Sequence, residues 1–269
     1  MKKFFKPRRS SSGRSASHTS WEKSSKWYNE TVGEKGHYYH EKIVLPGVLR
    51  LLKLTTKSSV LDIGCGQGIL AKRLEREEYY GVDASGSLIK FAKQADKKSN
   101  HQYMVADATK PLSIPKKDFT HATAIFSLQN MEYPFGAIQN VAKHMKADGR
   151  FVLVINHPCF RIPRQSGWGV NEGNNQQYRW VTKYMSEMKI PIQMHPGQKQ
   201  SGELSWSFHW PLAKLSEYLF QAGFVIEKIE EWSSDKKSQS REAKREDQAR
   251  EEIPLFMAIV AVKKDNKGC

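Results

Sequence analysis

The sequence predicts an α/β protein in which seven strands form a mostly parallel sheet with helices on both faces, with an inserted lid after the fifth strand. Three observations carry this expectation. Short apolar runs alternate with helix-like segments at intervals that suit βαβ crossovers. Three glycines, Gly64, Gly66 and Gly68, follow the first of those runs. The rhythm then breaks over residues 157–211, which are rich in Trp, Tyr, Gly, Pro and Gln.

In chain order, residues 1–21 hold Lys2, Lys3, Lys6, Arg8, Arg9 and Arg14 and no acid. The arm is Ser-rich and lacks the roughly 7–15-residue apolar stretch of a secretory signal. It reads as a disordered, solvated tail ahead of a domain spanning 22–269, although its basic, acid-poor composition also superficially resembles an organellar transit peptide. An apolar helix is expected near 43–54. Strands follow at "SSVLDIG", "YYGVDAS", "HQYMVADA", "DFTHATAIFSL" and "GRFVLVINH", with helices at "ILAKRLER", "SLIKFAKQADK" and "PFGAIQNVAKHMK". "FVIEKIEEW" and "LFMAIVAVK" supply the last two strands. Between them, residues 233–252 are almost entirely polar and read as a solvated helix or a mobile loop.

Composition narrows the class. The chain has 269 residues, 39% of them hydrophobic, and no apolar run approaches the roughly 20 residues of a membrane span. Its three cysteines, Cys65, Cys159 and Cys269, are odd in number and scattered, without disulfide or metal-ligand spacing. That usage suits a reducing compartment and a cytoplasmic location, and no metal site is expected. The net charge is +15, part of it in the basic arm. The charge allows peripheral contact with an anionic membrane and raises the question of nucleic acid. No RNA-binding module is recognisable, however, and the aromatic residues are not interleaved with a basic stripe.

Three glycines in five residues weaken regular structure, so they mark a sharp turn or a close approach of a ligand. A strand, a Gly-rich turn and a helix together make a nucleotide site. The dinucleotide fingerprint G-x-G-x-x-G/A fails here, because Ile69 stands at its third position. Asp62 beside the turn also disfavours a diphosphate. The pattern points instead to a ligand with a cationic end.

At these residues the chain resembles the class I S-adenosylmethionine-dependent methyltransferases, whose first motif reads [DE]-x-G-x-G-x-G; here it is Asp62-Ile63-Gly64-Cys65-Gly66-Gln67-Gly68. The resemblance runs in order through about residues 58–156 and implies a Rossmann-like fold with S-adenosyl-L-methionine as cofactor. It implies that Asp83, at the end of "YYGVDAS" with Ala84 next to it, takes both ribose hydroxyls. It likewise places Asp107 and Ala108, after the third strand, at the adenine. Phe126 and Ser127, in "AIFSLQNME", fall at the methionine half. Taken singly, Asp83 could be a helix cap and Asp107 a turn residue; successive strand ends favour a shared ligand site. Cys65 reads as a small buried filler.

Methyl transfer from a sulfonium needs positioning and exclusion of water, and a base only where the acceptor must lose a proton. The acceptor is therefore selected outside the cofactor motifs. His157, after the fifth strand, and His209, which closes the insertion, are the candidate bases; either alone is slightly more often a structural hydrogen-bonder, and His157 is favoured because the motifs fix its strand end. The Asn-Pro-Pro-Tyr signature of amino-methylating enzymes is absent, since Ser127-Leu128-Gln129-Asn130 stands there. Trp168, Tyr178, Trp180, Trp206, Phe208 and Trp210 would either bury the lid or line a pocket for a flat acceptor. Tyr28, Tyr38, Tyr39 and His40 are placed to cover the ligand from the N-terminal side.

The leading expectation is an enzyme that methylates a small-molecule acceptor, aromatic or quinone-like, broadly similar to the ubiquinone and menaquinone methyltransferase group. The alternatives are an RNA methyltransferase and a non-catalytic S-adenosylmethionine-binding regulator or partner subunit. Nothing in the sequence signals an oligomeric state.

Overall fold

The structure is a computed structural model that describes Glu22, residues 37–193 and residues 204–265; the basic arm and Tyr28 lie outside the described residues. Its centre is a seven-stranded sheet in the order β3-β2-β1-β4-β5-β11-β10. These strands are β1 (Ser59–Ile63), β2 (Glu78–Asp83), β3 (His101–Val105), β4 (Phe119–Ile125), β5 (Met145–Asn156), β10 (Phe224–Trp232) and β11 (Phe256–Lys263). The first five pair in parallel, and β11 runs antiparallel to both β5 and β10. The chain travels outward from β1 to β3 and then returns to β4, so the strand order reverses between β1 and β4. In an open α/β sheet, ligands bind at that reversal, beyond the carboxyl ends of the strands.

Strand side chains alternate between the two faces, so each run feeds two cores. Leu61, Phe119, Phe151, Leu153 and Ile259 pack on one face with the helices α3 (Pro134–His144) and α4 (Leu212–Gln221). Val60, Tyr79, Val152, Val154 and Val260 pack on the other with α1 (Leu45–Leu52) and α2 (Gly86–Ala95). Local signals set the helix ends. The Ser85 hydroxyl accepts the Leu88 amide and caps α2. Pro134 opens α3, where a missing N–H does no harm.

Several expected elements take a different form. The helix expected over "ILAKRLER" is only a 3-10 turn, Ala71–Arg73. Leu70, Ala71 and Leu74 all turn inward, and β2 must begin at Glu78, which leaves too few residues for a full helix. The Glu77 carboxylate closes the bend by accepting the amides of Glu75 and Arg76. The apolar helix near 43–54 is shifted toward the N-terminus: a π-helical turn, His40–Val44, runs into α1.

The insertion expected to be irregular contains two antiparallel hairpins, β6 (Ser166–Asn171) with β7 (Gln176–Val181), and β8 (Met188–Gln193) with β9 (Leu204–His209). Alternation in "QQYRWV" and "LSWSFH" carried the strand signal. The turn between β6 and β7 is of a recognisable kind: the Asn171 side chain accepts the Gly173 amide, and Asn175 has φ +51°. The polar stretch 233–252 ends in α5 (Ala243–Glu252), which buries little beyond Ala249.

Candidate active site

The Gly-rich turn leaves β1 with three left-handed residues, Gly64 (φ +71°), Gly66 (φ +55°) and Gly68 (φ +74°). Only glycine takes this conformation at low cost. The Gly64 and Cys65 amides both donate to the Val82 carbonyl, 2.7 and 3.1 Å away, which ties the turn to β2. The three glycines then differ. A Cβ on Gly64 would lie 2.2 Å from the Ser127 Cβ, and one on Gly68 would lie 2.9 Å from the Tyr103 hydroxyl. A Cβ on Gly66 would meet nothing within 4 Å. Gly64 and Gly68 therefore serve packing, and Gly66 borders open space.

Two carboxylates hold this turn. Asp83 ends β2; its Oδ2 accepts the Gly66 amide at 2.9 Å and its Oδ1 accepts the Ser85 amide at 2.8 Å. Burial pushes its pKa up. Asp62 lies beneath the turn and is only 3% exposed. It accepts the Tyr79 hydroxyl at 2.8 Å and the Thr123 hydroxyl at 2.7 Å. Burial raises its pKa to about 6, against these two bonds and with the charge of Asp83 adding to the rise. The sequence suggested that Asp62 belongs to the cofactor site; both of its oxygens already serve the sheet. Ala84 links Asp83 to the α2 cap.

The neighbouring strand ends complete the rim. Asp107 accepts the Thr109 amide and hydroxyl at 3.0 and 2.6 Å and pairs with Lys110 at 3.1 Å. Burial opposes its ionisation, yet these partners outweigh it and hold the pKa below the ordinary carboxylate value. Ala108 beside it is buried. Phe126, at the end of β4, has φ +53°, a conformation that costs a bulky residue on the order of 1 kcal/mol or more. Its amide bonds the Val154 carbonyl and its own carbonyl accepts the Asn130 side chain, which hold it there. Ser127 donates to the Ile63 carbonyl at 2.6 Å.

His40 stands edge-on to the Phe126 ring at 5.3 Å. Its Nδ1 is buried and has no hydrogen-bond partner among the described residues. Burial, then the His37 charge, brings its pKa down to about 4, so the ring is neutral at physiological pH. Tyr38 and Tyr39 instead donate to or share hydrogen bonds with Asp235 and Ser234. Of the three described residues expected to cover a ligand, His40 and Tyr39 reach the strand ends, His40 against Phe126 and Tyr39 against Phe256 at 5.5 Å.

At the ends of β4 and β5 lies an open cleft, lined among others by Leu128, Gln129, Asn156, Arg161, Phe208 and His209. The Gln129 side chain accepts the Asn156 amide at 2.8 Å, joining the ends of β4 and β5 at its floor. Lys189 on β8 pairs with Glu132 at 3.0 Å and lies over the Trp206 and Phe208 rings, which fixes the second hairpin against this floor. The aromatics of the insertion are divided: Trp210 is buried and Phe208 half-buried at the cleft, whereas Trp168, Tyr178 and Trp180 are exposed.

The two histidines differ. His157 follows β5, but it does not line the cleft. Its Nε2 donates to Glu231 at 2.6 Å and its Nδ1 accepts the Cys159 amide at 3.2 Å, so both nitrogens are engaged. His209 does line the cleft; its Nε2 donates to the Tyr184 carbonyl at 2.7 Å. In the neutral ring that bond leaves Nδ1 as the unprotonated nitrogen. Burial lowers the pKa of both, against the opposing pull of Glu231 on His157 and of the Tyr184 carbonyl on His209.

Sequence reasoning missed three contributors. The Glu22 carboxylate accepts the Ser85 and Ser87 hydroxyls at 2.7 and 2.5 Å, next to Asp83. Gln129 falls where the amino-methylating signature would stand but was given no role, and Arg161 is a polar residue that no motif marks. Among the described residues no cluster of side chains is set to hold a metal ion, and no helix is long and apolar enough to cross a membrane.

The Asp62 environment yields a pH test. Its folded pKa of about 6 lies above the ordinary 3.8, so the folded state binds the proton more tightly and gains stability as pH falls through 6. Relative to Asp62→Asn, the wild type should gain about 1 kcal/mol between pH 7 and pH 5, or about 2–4 °C in melting temperature. A difference independent of pH would show that the carboxylate ionises normally.

Comparison with known proteins agrees with this geometry. Residues 61–153 match the family model described as a methyltransferase domain. No curated protein matches the chain. A solved S-adenosylmethionine-dependent methyltransferase from Mesorhizobium loti is 22% identical with a TM-score of 0.64, covering 81% of this chain and 96% of its own. One from Clostridium acetobutylicum is 14% identical with a TM-score of 0.54, covering 91% and 99%. The [4+2]-cyclase SpnF also matches, at 19% identity and a TM-score of 0.53, covering 82% and 80%, so the fold alone does not fix the reaction. The ordered Gly-rich turn, the acids at successive strand ends and the matched segment agree: residues 61–153 carry a methyltransferase domain, and the fold is that of S-adenosylmethionine-dependent methyltransferases.

Proposed function

We propose that this enzyme transfers the methyl group of S-adenosylmethionine to a small-molecule acceptor held in the cleft at the ends of β4 and β5, with the insertion acting as its lid. The observation that carries this reading is the position of the cleft. It opens directly beside Leu128 and Gln129, which follow the turn at Phe126 and Ser127 over the expected methionine half of the cofactor. Apolar and aromatic walls with a few polar groups suit a small acceptor better than a polynucleotide.

The residues present fit the cofactor. Gly66 borders space that a side chain would fill, and the neutral His40 leaves no positive charge beside a cationic ligand. In this reading Asp83 holds the ribose hydroxyls with the oxygen lone pairs its backbone bonds leave over. Asp107 and Ala108 border the adenine, and Gly64, Gly66, Phe126 and Ser127 border the methionine half. Asp62 supports them from below. The cofactor supplies an activated methyl group, and the chain aligns the acceptor and excludes water.

Where the acceptor must lose a proton, His209 is the better placed of the two candidate bases. It lines the cleft and holds its Nε2 proton on a carbonyl, so Nδ1 is free to accept. His157 is then a positioning residue that fixes the turn after β5.

Four substitutions test this reading. Asp83→Ala should weaken S-adenosylhomocysteine binding at least tenfold by calorimetry, since charge-assisted bonds contribute roughly 1.5–3 kcal/mol each. Gly66→Val should abolish that binding in a folded protein; normal affinity would mean that the glycine serves the turn alone. His209→Asn should lower turnover of a proton-losing acceptor about 100-fold or more with cofactor affinity unchanged. His157→Asn should chiefly lower the melting temperature. Turnover preserved in His209→Asn, or lost only in His157→Asn, would exchange the two roles. Methylation of RNA with no small-molecule turnover would replace the reading altogether, and cofactor binding with no turnover of any acceptor would favour a regulator.

A further inference from the structure

Arg161 lines the cleft and stands on a rigid turn. The His157 carbonyl accepts both the Phe160 and Arg161 amides, at 3.2 and 2.8 Å, and Ile162 beside them is buried. The guanidinium forms no ion pair and no side-chain hydrogen bond among the described residues. Among the described residues, the one ionisable group whose charge favours its ionised form is the Tyr39 phenol, and Glu231 is committed to the His157 ring. A second arginine adds to the positive field. Arg179 lies over the Trp168 ring and donates to the Phe160 carbonyl and the Ser166 hydroxyl, again with no carboxylate partner among the described residues. Each guanidinium is lowered from its ordinary pKa first by burial, and Arg179 further by the charge of Arg161.

A largely buried cation without a counter-ion is unfavourable unless something supplies the opposite charge. The mutual repulsion with Arg179, where the charge of Arg161 is felt, adds to that cost, and such a group persists where a ligand completes the pair. Guanidinium also matches oxyanions geometrically, since its donors form a planar fork. The same cleft also carries apolar side chains, Leu128, Phe208 and Trp210 among them.

We propose that the acceptor is an apolar acid, and that Arg161 anchors its oxyanion, a carboxylate or a phosphate monoester, while its apolar body lies along the Phe208 and Trp210 wall. This deepens the reading above and rests on it. Arg161 orients the acceptor and takes no part in the bond changes. His157 shapes the turn that aims it, which gives the doubly bonded histidine a purpose.

Three probes test this on the full chain by calorimetry, with and without S-adenosylhomocysteine: benzoate, phenyl phosphate and the neutral benzamide. In the wild type one of the acids should bind at least tenfold more tightly than benzamide, and the better acid identifies the oxyanion. Arg161→Gln should abolish that preference while leaving S-adenosylhomocysteine affinity unchanged, and Arg161→Lys should retain part of it, which shows that the fold survives. Equal binding of acid and amide, absence of saturable binding by either acid, or a preference that survives in Arg161→Gln would overturn the proposal. Failure of S-adenosylhomocysteine to bind the wild type would overturn the methyltransferase reading instead, because the acid preference is read without cofactor.

Discussion

The site depends on one backbone constraint: the chain must leave β1 by a path that only glycine can follow, and it must be held there. Gly64 has no room for a side chain because Ser127 lies against it from β4, and Gly68 has little because Tyr103 lies against it from β3. The turn is thus enclosed by the strands on either side of the reversal in strand order. Its one open residue, Gly66, is fixed by the carboxylate of Asp83 from β2. Three strands therefore determine the shape of a five-residue turn. The same bonds explain why Asp62 and Asp83 sit close together despite their charges. Asp62 is satisfied by two hydroxyls and Asp83 by two amides, and burial raises the pKa of both.

From that turn the rest of the site follows outward. Ser127 bonds the Ile63 carbonyl, Phe126 is forced into a left-handed conformation, and the 3-10 turn Leu128–Asn130 then presents Gln129 to Asn156. This brings the ends of β4 and β5 to one floor. The second hairpin is held on the floor by Lys189, and His209 closes it through the Tyr184 carbonyl. The Gly-rich turn is held by backbone and acids, whereas the cleft is lined by side chains of the insertion together with the ends of β4 and β5. That division suits a fold in which one half accepts a constant ligand and the other adapts to different acceptors.

Much of the sheet was legible because its strands are short apolar runs separated by turn residues, and Gly64, Gly66 and Gly68 mark the left-handed turn that leaves β1. The helix over residues 69–76 was misread because Leu70, Ala71 and Leu74 mimic helical spacing while the chain is too short to complete it. The hairpins at 166–181 and 188–209 were overlooked although "QQYRWV" alternates cleanly, because neighbouring glycines, asparagines and prolines suggested irregular chain. Tyr178 and Trp180 cover Gly169 and Gly167 across the β6–β7 pair, so the glycines there belong to the strand and not to a loop. The site histidines were only half legible. Both positions could be found, but which ring nitrogen remained available depended on Glu231, Cys159 and Tyr184, partners that lie 2 to 74 residues away along the chain. Arg161 was invisible for the same reason, since its significance is the lack of a partner.

The most direct test of the account is a crystal structure with S-adenosylhomocysteine bound. The account predicts the homocysteine end against Gly64, Gly66 and Ser127, the ribose at Asp83, and the sulfur facing the cleft that holds Asn156 and His209. Density for the ligand elsewhere, or a sulfur directed away from that cleft, would contradict it.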